Sequence, residues 1–130
     1  MAQAKVIKVK AEAKQNETFR TVLFTAEKSQ LVMMSLRPGE DIGEEVHADV
    51  DQLLYAVKGE GVAVADGKEL AFDKGTVFCV PAGVKHNVKN TGDEPMKLFT
   101  VYAPPQHAPG TVHETKADAA KAEKAETPVA

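Results

Sequence analysis

Glu45-Val46-His47 places a carboxylate and an imidazole two residues apart. In a strand, residues i and i+2 point to one face, so these two side chains project together. Gln52 follows the turn-like Asp49-Val50-Asp51 and opens the next apolar run, where it can face the same pair. With Gln52 inward, Leu54 and Ala56 share its face, while Leu53, Tyr55 and Val57 face the other way. His86 stands far along the chain, just after the rigid turn Pro81-Ala82-Gly83, which re-aims the backbone before a strand. Imidazole, carboxylate and amide groups are nitrogen and oxygen donors that hold a divalent metal or, for the first two, move protons. A lone strand histidine is ordinarily a half-buried or surface polar residue. Only a fold that brings the two distant stretches together can combine these four.

The elements that would do so read as strands broken by turns. Runs rich in Val, Leu, Phe and Thr cover Phe19–Thr25, Gln30–Leu36, Glu44–His47, Gln52–Lys58, Val62–Ala65, Lys68–Phe72, Thr76–Val80, His86–Lys89 and Met96–Tyr102. Pro38-Gly39, Gly59-Glu60-Gly61, Asp66-Gly67, Asp73-Lys74-Gly75 and Asn90-Thr91-Gly92-Asp93 separate them. Asp-Gly between apolar runs is a strong hairpin signal. Short strands with such regular turns predict an all-β sandwich or small barrel. No repeat and no useful helical periodicity precede the C-terminal tail.

The spacing carries a resemblance. Gly39, Glu45, His47, Gln52 and Gly59 form one half-motif, and Gly75, Pro81, Gly83, His86 and Asn90 form another. Together they resemble the paired signatures of the cupin superfamily, whose fold is a small jelly-roll β-barrel. The resemblance is tight over residues 39–90 and looser over 30–103. In that family the first motif supplies two His and a Glu, and the second one His, to a single divalent metal. Carried over, it implies Glu45, His47, Gln52 and His86 as ligands of one divalent metal ion (Mn, Fe, Zn, Ni, Co or Cu). This chain departs from the pattern by having Glu45 in place of the first His and Gln52 in place of the Glu. One anionic ligand remains, so a bound divalent ion would leave a net +1 site. Glu45, His47 and His86 are two His and one carboxylate, a set suited to Fe(II) with open positions. Glu45 has an alternative as an exposed edge carboxylate, like Glu44, and Gln52 as a hydrogen-bond partner of a ligand.

The mixed donor set resembles that of type I phosphomannose isomerases, in a different chain order. Leu98–Pro105 also resembles small cupins described as mannose-6-phosphate isomerase-like. The implied function is a metal-dependent enzyme acting on a small polar substrate such as a sugar or sugar acid, of isomerase type. Two alternatives stay open: an Fe(II)- or Mn-dependent dioxygenase, and a non-catalytic cupin that binds a metal or small ligand. Arg20 and Arg37 are the only arginines, which argues against a sugar-phosphate clamp. The sequence names no general base. Asp49 and Asp51 read as a solvated turn, His107 and His113 as surface-loop residues with capping of the barrel mouth as their alternative, Cys79 as a small core residue and Asn90 as a turn closer.

Three zones organise the 130 residues. Residues 1–18 read as an arm with an edge strand at Val6–Val9, 19–110 as the barrel, and 111–130 as a flexible Ala/Lys/Glu-rich tail. That tail has little apolar surface to offset its ordering entropy, so it reads as disordered or as a frayed helix. The net charge of −3 lacks the basic excess of a nucleic-acid binder. No apolar run is long enough for a membrane span. Met1–Lys5 leads into no apolar signal core, and Cys79 is the single cysteine, so the expected location is cytoplasmic. Leu31, Met33, Leu53, Tyr55, Val57, Phe99 and Val101 form an outward apolar set. With the Val6–Val9 strand, that set predicts a homodimer.

Overall fold

A computed structural model describes residues 2–125. Nine strands follow in chain order: β1 (Arg20–Thr25), β2 (Gln30–Leu36), β3 (Asp51–Lys58), β4 (Glu60–Ala65), β5 (Lys68–Asp73), β6 (Val77–Val80), β7 (His86–Asn90), β8 (Met96–Ala103) and β9 (Val112–His113). Helix α1 (Val9–Gln15) precedes them and helix α2 (Lys116–Ala125) follows. Six strands form one antiparallel sheet in the order β6-β3-β8-β2-β1-β9, and β5-β4-β7 form a second. The apolar alternation of each strand drives the two sheets together. Leu54 and Ala56 of β3, Leu98 of β8, Met34 of β2, Ala63 of β4 and Val88 of β7 meet in one buried core. The all-β expectation therefore holds, and most predicted strands agree to within a residue or two.

The Asp66-Gly67 hairpin forms as its sequence demands. Both residues have positive φ, 49° and 81°, which a tight turn between β4 and β5 requires. Glu44–His47 departs from expectation, because it is not a continuous strand. Instead Asp41↔Lys89 and Glu45↔His86 are isolated bridges to β7. Gly43, at φ 110°, breaks the ladder between them, and its N–H donates to Asn87 Oδ1 at 2.9 Å rather than to a backbone carbonyl. Side-chain alternation survives the break: Val46 is exposed, while His47 is largely buried.

The predicted edge strand at Val6–Val9 is not found. Val6 is 99% exposed, and Val9 begins α1. Val-Ile-Lys-Val mimics strand alternation, but Lys10–Gln15 are good helix formers, and Val9 and Ala13 fall one turn apart on one face. That face packs on Met33, Val57, Leu23, Leu31, Tyr55 and Phe99, a second apolar cluster outside the barrel. The outward apolar set of the sequence reading is thus partly covered from within the chain. Cys79 is another correction. It is exposed on β6, while Phe78 and Val80 point inward.

After residue 110 the chain adds β9, which pairs with β1, and then α2. Thr115 and Asp118 form reciprocal cap bonds: Asp118 N–H donates to Thr115 Oγ1 at 3.1 Å, and Thr115 N–H to Asp118 Oδ2 at 3.3 Å. Lys116 pairs with Asp41, and Ala119 is buried in the main core. Residues 126–130 of the tail, Val129 among them, lie outside the described residues.

One position limits how closely β4 and β7 can approach. A Cβ at Gly61 would stand 2.3 Å from the Lys89 carbonyl oxygen, with Met96 at 3.2 Å. Neither backbone can yield without breaking the ladder. Gly61→Ala should cost roughly 1–3 kcal/mol and lower Tm by roughly 5–15 °C, read by thermal unfolding. An unchanged Tm would show that the second sheet adjusts freely.

Candidate metal centre

Two strands, β3 and β7, and one bridge segment supply the four candidate donors. Glu45 is fixed by two backbone hydrogen bonds with His86, each at 2.9 Å. Gly83 N–H donates to the His47 carbonyl at 2.8 Å, so the turn before β7 also grips the first donor segment. Asp51 Oδ1 accepts from Ala82 N–H at 2.9 Å, which gives that aspartate a structural task. Gln52 enters at the start of β3 and His86 at the start of β7, both buried. All four residues singled out by the sequence are thereby brought together.

They form two contacting pairs. His86 Nδ1 lies 2.9 Å from the Val84 carbonyl, a contact that requires a proton on Nδ1. In the neutral ring the Nε2 lone pair is then left facing Gln52 Oε1 at 2.9 Å. Gln52 Nε2 donates to Thr100 Oγ1 at 3.0 Å, which aims its oxygen at the histidine. Two acceptors so close are reconciled by a second ring proton, by an amide turned end for end, or by a cation that both bind. In the second pair, His47 Nε2 stands 3.2 Å from Glu45 Oε2. The approach is misaligned for a hydrogen bond, so this buried nitrogen has no hydrogen-bond partner.

The two imidazole rings have centroids 5.3 Å apart. Rings bound through Nε2 to one ion at about 2.0–2.1 Å would have centroids roughly 4.5–5.3 Å apart. Among the described residues no group of three or more His, Cys, Asp and Glu stands ready-made around a metal position. The fourth donor here is an amide, and Glu45 leans on His47. The residues nonetheless fit a mixed nitrogen and oxygen site. An orphaned buried imidazole nitrogen, a facing pair of acceptors and a carboxylate all lie together, and the backbone carbonyl on His86 Nδ1 sets the tautomer that frees Nε2.

Around them lies a shell that the sequence did not disclose. Burial pushes the Glu45 carboxyl up, but His47, Arg20 and His86 outweigh it and hold the group below its ordinary range. Tyr102 is buried, its ring edge on His47 with centroids 5.9 Å apart. Burial raises its hydroxyl pKa against the pull of Arg20. His107, expected on a surface loop, instead covers the barrel mouth with Nε2 3.4 Å from the Tyr102 hydroxyl. Gln30 holds it there: its Oε1 accepts from Gln106 and His107 N–H at 3.1 and 3.0 Å, and its Nε2 donates to the His107 carbonyl at 2.7 Å. His113 is also not a free loop residue, since its Nδ1 lies 3.1 Å from Arg20 Nη1. Lys85 points away toward Glu44, as alternation requires. Asn90 does close its turn, accepting from Gly92 N–H, and also donates to the Leu36 and Glu94 carbonyls.

Burial, followed by the nearby Arg20, pushes His107 down from an ordinary value of 6.5 to about 3. The unfolded chain therefore binds a proton below about pH 6.5 that the folded chain refuses until about pH 3. Stability must rise with pH across that window and owe nothing further to His107 above it. His107→Gln should flatten the slope of unfolding free energy between pH 4 and 6 by about 1 kcal/mol per pH unit. Parallel slopes for the two proteins in urea titrations would place His107 in water.

Residues 32–102 match the family model of the cupin domain. YrkC of Bacillus subtilis is 50% identical over 125 residues, a span of 91% of this chain and 67% of that protein. The crystal structure of BH2720 from Bacillus halodurans superimposes with a TM-score of 0.90 at 40% identity, over 92% of this chain and 95% of that one. A Thermotoga maritima structure described as a predicted oxalate decarboxylase superimposes at 0.61 with 27% identity, over 65% and 77% of the two chains. With more than half of the chain matched by the family model and both motif halves joined at one end of the barrel, this protein belongs to the cupin family.

Proposed function

We propose that the chain is a metal-dependent cupin enzyme that acts on a small polar substrate such as a sugar acid, by an isomerase-type reaction. The observation that carries this reading is the buried His47 Nε2, which has Glu45 Oε2 at 3.2 Å but no well-aligned hydrogen bond, beside His86 and Gln52. Glu45, His47, Gln52 and His86 would hold one divalent ion, which when bound polarises a substrate oxygen as a Lewis acid. Val84 fixes the His86 tautomer, and Thr100 fixes the Gln52 amide. His107 stays neutral at ordinary pH and can accept a hydrogen bond from a substrate hydroxyl at the mouth. Tyr102, held protonated by burial, offers a donor beneath it. The apolar wall of Phe78 and Tyr102 beside the two histidines keeps bulk water from the donors.

A dioxygenase is the second reading, favoured by the Glu45, His47 and His86 set of two imidazoles and one carboxylate. The metal separates the two. Isomerase-type turnover would proceed with redox-inert Zn, whereas oxygen uptake would need a redox-active ion, Fe(II) or Mn. Metal analysis of the full chain after reconstitution should give one divalent ion per chain. His86→Ala should lose most of it and remain folded, because the apolar core holds the barrel. Full retention of metal by both His86→Ala and His47→Ala would end this reading.

The same proposal includes a cytoplasmic homodimer. Among the described residues no helix is long and apolar enough to cross a membrane. Helix α1 leaves part of the larger sheet's outer face open, with Leu53 46% and Val77 53% exposed on neighbouring strands. A second copy would cover this surface, since adjacent exposed apolar strand residues seek a partner. Light scattering at tens of micromolar should report twice the chain mass, and Leu53→Asp should shift it to the single-chain mass. A single-chain mass for the unaltered protein would reject the dimer.

A further inference from the structure

Arg20 takes no part in the donor set, yet it is the most deeply buried cation of the fold, 1% exposed at the start of β1. Its guanidinium stacks over Phe19 at 5.3 Å, and its Nη1 meets His113 Nδ1. Its Nε is buried without a hydrogen-bond partner. Among the described residues no carboxylate lies within ion-pair distance of it. Its charge is felt by Glu45 and by the Tyr102 hydroxyl, but a buried cation with no carboxylate in direct contact is costly, and native folds normally pair it. Arg20 also lines a cavity of about 90 Å³ whose wall includes Glu45, Gln106, His107, Thr111 and His113. The cavity therefore joins the buried guanidinium, which no carboxylate contacts, to one of the four donors. A larger cavity of about 410 Å³ lies elsewhere, around Lys58, Asp73 and Asp93, and no such donor set borders it.

We propose that Arg20 anchors an anion subsite and that the substrate class is a small carboxylic acid. The substrate carboxylate rests on the guanidinium while an adjacent oxygen reaches toward Glu45, His47, Gln52 and His86. The second contact rests on the metal-dependent reading; the first does not. A planar fork of N–H donors matches a carboxylate, and a single one suits one carboxylate. Phosphate fits less well, because Glu45 and the exposed Glu123 already bring carboxylates to this wall with only one arginine opposite them. The volume is well below the roughly 300–1,000 Å³ of drug-sized ligand sites, which points to an acid of a few carbons.

Isothermal titration of the full chain with oxalate and glycolate, against their neutral amides oxamide and glycolamide, tests this. Each acid should bind at least tenfold more tightly than its amide, in Mn-loaded and in chelator-treated protein alike. Arg20→Gln should abolish the difference while bound metal, measured separately, stays constant. Arg20→Lys should retain part of it. Equal affinity for acid and amide in the unaltered chain would overturn the proposal. So would discrimination that needs Mn and survives Arg20→Gln, since the carboxylate would then sit on the metal alone. Discrimination that persists in chelated protein supports Arg20 even where the metal-dependent reading fails. If Arg20→Gln does not fold, the acid-to-amide comparison on unaltered, chelated protein decides the matter.

Discussion

The paired backbone hydrogen bonds between Glu45 and His86 hold the site together. They join a segment just before β3, in the larger sheet, to β7, in the smaller one. Without that bridge, the segment carrying Glu45 and His47 would be tied toward His86 only by hydrogen bonds on either side, such as Ile42–Val88 and Gly83–His47. Gly43 makes the bridge local. By turning the backbone and capping Asn87, it stops the ladder that would otherwise run from Asp41 to Glu45. The donor segment is thus pinned at its ends and free of a sheet between them. Such a segment can present alternate side chains inward while remaining part of a barrel rim.

Electrostatics then follow from packing. The mouth collects the partly buried Glu45 carboxylate and the exposed Glu123, two imidazoles and a buried guanidinium. Burial penalises the charges covered there, so each such group settles in the form its neighbours favour. Glu45 has cations close by and stays ionised. His107 has Arg20 nearby and stays neutral. Tyr102 has neither freedom to ionise nor water to help it. These states depend on the Gln30 amide, which closes the mouth by binding the backbone on both sides of His107.

Much of this was legible from alternation. Glu45 and His47, then Gln52, Leu54 and Ala56, could be assigned to one face because polar and apolar residues mark the period. The same rule fails for Val77-Phe78-Cys79-Val80, since a wholly apolar run carries no phase and Cys79 falls outward. Helix α1 is too short for its period to show against the strand-like Val-Ile-Lys-Val. Thr115-Lys116-Ala117-Asp118 did hold a readable start signal for α2. Arg20 and His107 were illegible for a different reason. Their roles arise from contacts across most of the chain, Arg20 with His113 and His107 with Gln30. No local pattern encodes such contacts.

The departure of the donor set from its family pattern acquires a physical reason once Arg20 is placed. With Glu at the position of Gln52, two carboxylates would sit among the donors, and Thr100 would face an acceptor only. The amide instead donates to Thr100 and accepts or coordinates at His86, so every polar atom of that pair is used. The negative charge at Glu45 also borders the Arg20 cavity, which Gln52 does not line. A divalent ion held there by one carboxylate, with a guanidinium nearby, would carry an excess of positive charge in a poorly solvated place. Such an excess is stable only when an anion completes it. On the proposed reading, Gln52 and the buried Arg20 would be parts of one charge arrangement that leaves room for a negative charge brought from outside.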